Sequence, residues 1–213
     1  MPPNITEAIR DHYTEIQEWY GQIIQSDDGK TQAEYQKLFT WELARHCIAK
    51  EIVLFPAFEK YLPKDALLIR KSRQGNQKVK KELKIFQKMK TSNGAFIPAI
   101  EQLMRDLSRV IREEETWDLP KLEDTLPSSE SAALYELFGK TRIFIPMHCH
   151  HSAPEKPPFE TAIGLLTAPT DQLVEALDNW WNDSIYPLAD MFHLEIKAHS
   201  VALTSTPPES FGH

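Results

Sequence analysis

Four long stretches of this chain repeat apolar residues at the three- and four-residue spacing that marks one buried face of an α-helix. The first stretch follows Asn4, a good helix-capping residue, and ends at the polar residues 26–29. The other three cover about residues 32–61, 65–89 and 96–117. Long helices that are separated by short loops favour an all-α fold, an up-down-up-down four-helix bundle.

The chain changes character after this bundle, which we expect to cover about residues 4–120. A shorter fifth helix is predicted at residues 128–138, where Gly139 should close it. A proline-rich loop follows at residues 146–158, and its His, Met and Cys residues distinguish it from a flexible linker. We expect this C-terminal extension, about residues 128–200 with further short helices, to belong to one domain with the bundle.

The composition argues against several classes of function. The formal net charge of −7 argues against a nucleic-acid partner, and the 7 glycines argue against a glycine-rich phosphate loop. No stretch approaches the ~20 consecutive apolar residues of a membrane span, so no membrane partner is expected. The two cysteines, Cys47 and Cys149, make no disulfide framework, and no signal peptide is visible. These features predict a cytoplasmic protein.

Polar side chains stand on the helical stripes where apolar residues are expected. They are His12, His46, Lys50, Asn76 and Glu114. A buried ionisable group is costly unless it is paired with an opposite charge or bound to a metal. Because four-helix bundles hold metal ions with inward-facing His and Glu side chains, these positions predict a polar centre inside the bundle.

Several short segments, taken together, are typical of one protein family. They are Asp11-His12 and residues 39–46, 55–61, 113–120, 152–161 and 164–169. Through them, about residues 5–178 resemble the hemerythrin-like (HHE cation-binding) proteins, in their fungal branch. The resemblance implies a four-helix bundle around a carboxylate-bridged pair of iron ions, whose ligands come from all four helices.

Part of that family's ligand pattern is present in this chain. The histidines of helices 1 and 2 match His12 and His46. The carboxylate of helix 4 matches Glu114, with Glu113 and Glu115 as alternatives in register. These three matches imply that a metal-binding centre is partly kept.

The rest of the pattern is lost. The bridging Glu of helix 2 falls on Lys50, and the histidines of helices 3 and 4 fall on Asn76 and Val110. A lysine cation in the place of a metal-bridging carboxylate repels a second metal ion. We therefore expect no di-iron chemistry and no reversible oxygen binding.

The remaining residues predict one divalent metal ion, held by His12, His46 and Glu114, with zinc preferred over iron. The loop at 146–158 could add a ligand, first His150, at which the fungal relatives commonly have a histidine, and next His148. The alternative is that His150 caps a helix end while its neighbouring histidines lie on the surface.

These residues favour a metal-dependent, non-redox lyase or rearrangement enzyme that acts on an aromatic small molecule. The metal would act as a Lewis acid, Lys50 would transfer a proton, and Asn76 would hydrogen-bond developing negative charge on oxygen. The chain resembles the cyclopenases, zinc-dependent hemerythrin-like enzymes of fungal alkaloid biosynthesis, a branch of secondary metabolism. That resemblance implies conversion of cyclopenin to viridicatin with loss of methyl isocyanate. An aromatic pocket could be lined by Phe39, Trp41, Phe86, Trp117 and Met147, although core packing explains the same pattern.

The alternative function is non-catalytic. In that interpretation Lys50 and Glu114 form a buried ion pair, and the chain is a metal-binding or metal-free hemerythrin-like binding protein. The role of Lys50 distinguishes the two hypotheses. A nearby cation does not help to store a metal ion, whereas a lysine can take part in proton transfer. The sequence does not predict the oligomeric state.

Overall fold

A computed structural model describes residues 3–144 and 166–173, and these residues form helices and turns without any strand. The all-α prediction is confirmed. No helix within the described ranges combines the length and the apolar character that crossing a membrane requires. The principal helices are α1 (Ile5–Gln25), α2 (Gly29–Ala49), α3 (Phe55–Tyr61), α4 (Ala66–Phe86), α5 (Phe96–Glu113), α6 (Leu119–Glu123) and α7 (Ser128–Phe144).

Four helical rods form the bundle. The first is α1 and the third is α4, whereas the second joins α2 to α3 through a π-helical turn at Lys50–Leu54. The fourth joins α5 to α6 through a π-helical turn at Glu114–Asp118. Because α1 packs on α2 and α5, and α4 packs on α5 and α2, the rods enclose one interior. Helix α7 packs outside them, against α1 and α2.

Side-chain caps set where the first two helices begin. The amide of Glu7 donates to Asn4 Oδ1 at 3.0 Å and the Glu7 carboxylate accepts from the Asn4 amide at 3.1 Å, so the predicted cap is confirmed as a capping box. The second helix begins at Gly29 rather than near residue 32. Its cap is Asp28, whose Oδ2 accepts from the Thr31 amide at 2.8 Å and from the Thr31 hydroxyl.

Each π-helical turn ends two residues before a proline. The amide of Phe55 donates to the Lys50 carbonyl, and the amide of Leu119 donates to the Glu114 carbonyl. Pro56 and Pro120 then occupy the first turns of α3 and α6. A proline ring clashes with the carbonyl four residues earlier in a regular α-helix, and the wider π turn relieves that clash. Both turns therefore begin at a charged residue of the predicted centre.

The fifth helix is longer than the predicted residues 128–138. Helix α7 continues to Phe144 and passes through Gly139, which was expected to close it. A glycine ends a helix when the chain must turn into a left-handed conformation, and the residues that follow here remain helical. Thr141 is buried in this extra turn, and its hydroxyl donates to the Phe138 carbonyl at 2.6 Å.

The core of the bundle takes two of the aromatic residues that were assigned to a pocket. Phe39 and Phe86 are almost wholly buried and meet edge to face at 5.9 Å between ring centres. Trp41 is also buried, whereas Trp117 is 71 % exposed. Phe39 and Phe86 therefore pack in the core, as the core-packing alternative predicted, and the aromatic pocket stays a prediction.

Part of the predicted extension lies outside the described residues. The loop at 146–158, with Met147, His148 and His150, belongs to that part. The single-domain organisation and the helices predicted beyond residue 173 stay predictions.

Candidate functional site

Lys50 and Glu114 face each other in the bundle interior from the two π-helical turns. The Lys50 ammonium donates directly to Glu114 Oε1, and each residue is only about 1 % exposed. The ammonium also lies 5.7 Å from the ring centre of Phe55. This is the buried ion pair that the alternative interpretation of the sequence predicted.

Two hydroxyl groups complete the environment of Glu114. The Tyr13 hydroxyl donates to Oε2, and the Ser72 hydroxyl donates to Oε1 at 3.0 Å. Burial, and next the charge of Glu114, raise the pKa of Tyr13 well above its ordinary value, so Tyr13 stays protonated as a donor. The Glu114 carboxylate thus has three donors, which satisfy a charge that would otherwise be costly to bury.

A second polar cluster surrounds the neighbouring residue Glu51, which is also buried. Its carboxylate accepts from Asn76 Nδ2 at 2.9 Å and from Gln77 Nε2 at 3.1 Å. Arg73 donates to the other oxygen at 3.2 Å. Asn76 Nδ2 donates as well to the Cys47 carbonyl at 3.1 Å, so both hydrogens of this amide are used within the protein. The oxyanion-binding role of Asn76 stays a prediction, which requires these bonds to open.

The two predicted histidines contact each other. His12 Nδ1 and His46 Nδ1 are 3.3 Å apart, and His12 Nε2 lies 3.0 Å from Glu42 Oε2. A neutral His12 that donates its Nε2 hydrogen to Glu42 accepts the Nδ1 hydrogen of His46, so this geometry requires complementary tautomers. The Phe138 ring of α7 lies 6.1 Å from the His12 ring and 5.8 Å from the His46 ring, and it covers the pair.

His12 belongs to a group that could hold a metal ion. Ligand atoms of His12, Glu15 and Glu42 lie within 4.8 Å of one another. Arg45 donates to Glu42 Oε1, and this contact leaves Oε2 facing His12. One imidazole nitrogen and two carboxylates suit zinc, iron(II) or manganese(II). Among the described residues, this is the group of His, Cys, Asp or Glu side chains whose ligand atoms lie close enough together to share a metal ion.

The predicted ligands His12, His46 and Glu114 do not share one set of contacts. His46 contacts His12 and the Tyr13 ring, whose centre is 4.5 Å from its own. Glu114 contacts Tyr13 too, but its carboxylate is occupied by the hydroxyl groups and by Lys50. His12 Nε2 faces the carboxylate of Glu42 and not that of Glu114. This ligand set stays a prediction, and binding there requires Lys50 to withdraw.

Sequence reasoning missed Glu15 and Glu42. Glu15 follows His12 by three residues, and Glu42 precedes His46 by four residues. Residues at these spacings lie on the same face of a helix, so the signal was available in the sequence. The family's ligand pattern directs attention to the positions of Lys50 and Glu114, and neither Glu15 nor Glu42 is one of its ligand positions.

The interior does not fit the pair of iron ions that the family resemblance implies. Lys50, which the resemblance aligns with the bridging carboxylate, is paired with Glu114, and Asn76 donates its amide hydrogens within the protein. Val110, which the resemblance aligns with a histidine ligand of helix 4, is buried against Gly75. A methyl group added to Gly75 would lie 2.9 Å from Val110 Cγ2, so this region of α4 and α5 is closely packed.

The comparisons with known proteins agree with this fold. An uncharacterized hemerythrin-like protein of the yeast Schizosaccharomyces pombe is 42 % identical over 177 residues, which cover 83 % of this chain and 87 % of that protein. The chain belongs to the hemerythrin-like family. No family model matches the chain, and no solved structure matches it. The fungal relationship and the helical bundle expected from the sequence are thereby confirmed, and the His–Glu group supplies a possible metal site in this family member.

Proposed function

We propose that this hemerythrin-like protein binds one divalent metal ion through His12, Glu15 and Glu42. The observation that carries the proposal is the convergence of three ligand atoms within 4.8 Å. His12 and Glu42 are buried, and buried clusters of histidine and carboxylate tend to be functional. The Lys50–Glu114 ion pair has replaced the second metal position of the family.

Metal binding at this group changes the protonation of the histidine pair. His12 can bind a metal through Nε2 only after that nitrogen gives up its hydrogen. The hydrogen of the neutral His12 ring then stands on Nδ1 and is donated to His46 Nδ1, 3.3 Å away, while the hydrogen of His46 moves to its Nε2. Arg45 offsets part of the charge of the two carboxylates and orients Glu42. A bound divalent ion would supply Lewis acidity to an oxygen of water or of a substrate.

Calorimetric titration tests this proposal. Zinc(II), and iron(II) without oxygen, are each titrated into the metal-stripped protein, which also tests the zinc preference. Glu42→Gln should weaken binding by more than about tenfold, because it removes a charged ligand. Glu34→Gln, an exposed change on the same helix, should leave affinity unchanged. Equal metal affinities of the wild type and of Glu42→Gln would refute the proposed site.

The histidines of the loop at 146–158 are tested separately. His148→Ala and His150→Ala are compared in the same titration, since either residue could add a ligand to the group. A loss of affinity in one variant alone identifies that ligand. Unchanged affinity in both variants assigns the site to His12, Glu15 and Glu42 without the loop.

As a second function we propose non-redox lyase chemistry on an aromatic small molecule, as the resemblance to cyclopenases implies. Its structural support is an open cleft of about 470 Å³ whose lining includes Ser72 and Trp117. The Ser72 hydroxyl donates to Glu114, the partner of Lys50. The Ser72 hydroxyl would therefore stand between a ligand in this cleft and the buried Lys50–Glu114 pair, to which we assign the proton transfer.

Turnover tests this second function directly. Cyclopenin is incubated with the metal-loaded protein, and formation of viridicatin is followed by chromatography. Lys50→Met should abolish turnover, whereas Lys64→Met, a change of an exposed lysine, should not alter it. Absence of turnover in the wild-type protein, or full turnover in Lys50→Met, would refute the role given to Lys50.

A further inference from the structure

The open cleft beside α4 and the π-helical turn at Glu114–Asp118 has the properties of a ligand site. Its volume of about 470 Å³ lies within the range of about 300–1,000 Å³ that small-molecule sites occupy. Three apolar side chains, Leu67, Leu68 and Trp117, line one part of it, and the rest of the lining is polar or charged: Asp65, Lys71, Ser72, Glu113, Asp118 and Lys121. None of these residues belongs to the metal group described above.

The apolar part of the cleft consists of large side chains left open to solvent. Trp117 is 71 % exposed and Leu67 is 56 % exposed, and both line the cleft. A concave site with an exposed indole ring offers a flat surface on which an aromatic ring can stack. The shape and the apolar area therefore favour a planar, aromatic ligand over a phosphate or a metal ion.

The polar part of the cleft contains a carboxyl group that lacks a partner. Asp118 is half-buried, and within residues 3–144 and 166–173 its side chain makes no hydrogen bond and no ion pair. Burial, and next the charge of Glu114, raise the pKa of Asp118 to about 6. Lys50 and Lys121 act in the opposite direction, and Glu113 adds to the rise. A ligand that donates an N–H group would relieve this unsatisfied charge.

We propose that the cleft binds a small molecule with an aromatic ring and an N–H donor, with the ring against Trp117 and Leu67 and the N–H group on Asp118. Ser72 lies at the inner side of the site, where its hydroxyl reaches Glu114 at 3.0 Å. The proposal deepens the lyase function, because it states where an aromatic substrate binds. Binding is measurable without turnover, and it does not depend on the metal group.

Ligand-detected NMR and calorimetry at pH 7.5 test the site with defined probes. 2-Phenylethylamine and N-benzylacetamide represent amine and amide donors, and 3-phenylpropionate has the same ring without an N–H group. We expect either donor to bind more tightly than the carboxylate. Asp118→Asn and Trp117→Ala should each weaken donor binding by about tenfold or more. Asp124→Asn and Ile85→Ala, which change exposed residues outside the lining, are the matched controls.

The pH dependence is a further readout. Donor affinity should fall as the pH drops below about 6, because Asp118 takes up a proton there. Unchanged affinity in Asp118→Asn and Trp117→Ala, or no binding of either donor at millimolar concentration, would overturn the proposal. Donor binding without turnover of cyclopenin would refute the lyase function and leave the cleft assignment in place. Turnover that survives in both cleft variants would refute the cleft assignment and leave the lyase function in place.

Discussion

Removing the charge of Lys50 should destabilise the protein more than any surface substitution. In Lys50→Met the Glu114 carboxylate stays buried without its cation, a situation that costs about 3–5 kcal/mol. Tyr13 and Ser72 continue to donate to Glu114, so we expect a value near the lower limit, about 3 kcal/mol. That is a large part of the about 5–15 kcal/mol by which domains are stable.

A double-mutant cycle separates the ion pair from the packing of its two side chains. Glu114→Gln alone leaves the ammonium buried against a neutral amide and should cost a similar amount, about 3 kcal/mol. The double variant Lys50→Met/Glu114→Gln buries no charge at this position. Its cost should lie about 2–3 kcal/mol or more below the sum of the two single costs.

The assay is urea unfolding followed by circular dichroism at pH 7, with the midpoint compared at constant slope. Lys60→Met is the control, because the Lys60–Glu130 pair spans 3.8 Å between exposed side chains and should leave the unfolding midpoint almost unchanged. A cost for Lys50→Met below about 1 kcal/mol, or additive single costs in the cycle, would contradict a buried ion pair at the centre of the bundle.

The remaining predictions concern packing and pH. Gly139→Ala, inside α7 with open space around the added methyl group, should raise the free energy of unfolding by about 0.5–1 kcal/mol. A lower free energy of unfolding, measured by urea unfolding, would argue against a continuous α7. Gly75→Ala should lower it by about 1–2 kcal/mol despite the better helix propensity, because the methyl group would meet Val110 at 2.9 Å; a stabilised variant would show that α4 and α5 can separate freely. Asp118 has a folded pKa of about 6, above its unfolded value, so its contribution to stability is complete below about pH 4 and is lost as the pH rises through 6. Asp118→Asn should therefore be about 1 kcal/mol more stable than wild type at pH 7, after allowance for solvent screening, and equal to it near pH 4; parallel curves of stability against pH would exclude the raised pKa.

The fold was predictable because its main signal repeats over long stretches. Each rod shows the helical period for several turns, and Asn4 is a recognisable cap. The helix ends were harder to predict, since they depend on single side chains. Asp28 was read as part of a turn although it caps α2, and Gly139 was read as a helix end although the chain after it stays helical.

The π-helical turns could not be predicted from periodicity. Each adds one residue to a single turn, which a pattern averaged over many residues does not detect. The local signal is the proline six residues after Lys50 and again six residues after Glu114. With hindsight, these prolines mark the places where the two charged residues of the ion pair lie in widened turns.

The candidate site was predicted in part. The sequence singled out His12, His46, Lys50, Asn76 and Glu114 as polar interior residues, and all five are buried. Their pairing was not readable, because helical spacing places a residue on a face but does not say which residue of another helix it meets. The contact of His12 with Glu42, and of Asn76 with Glu51, depends on how the rods pack.

The number and position of bound metal ions test the central claim that an ion pair has replaced one metal position and that His12, Glu15 and Glu42 hold the other. Elemental analysis of protein loaded with zinc or iron(II) and then desalted gives the number of ions per chain. The account predicts about one ion in the wild type and in Glu34→Gln, and none in Glu42→Gln. Two ions per chain, or one ion that persists in Glu42→Gln and disappears in Glu114→Gln, would contradict it.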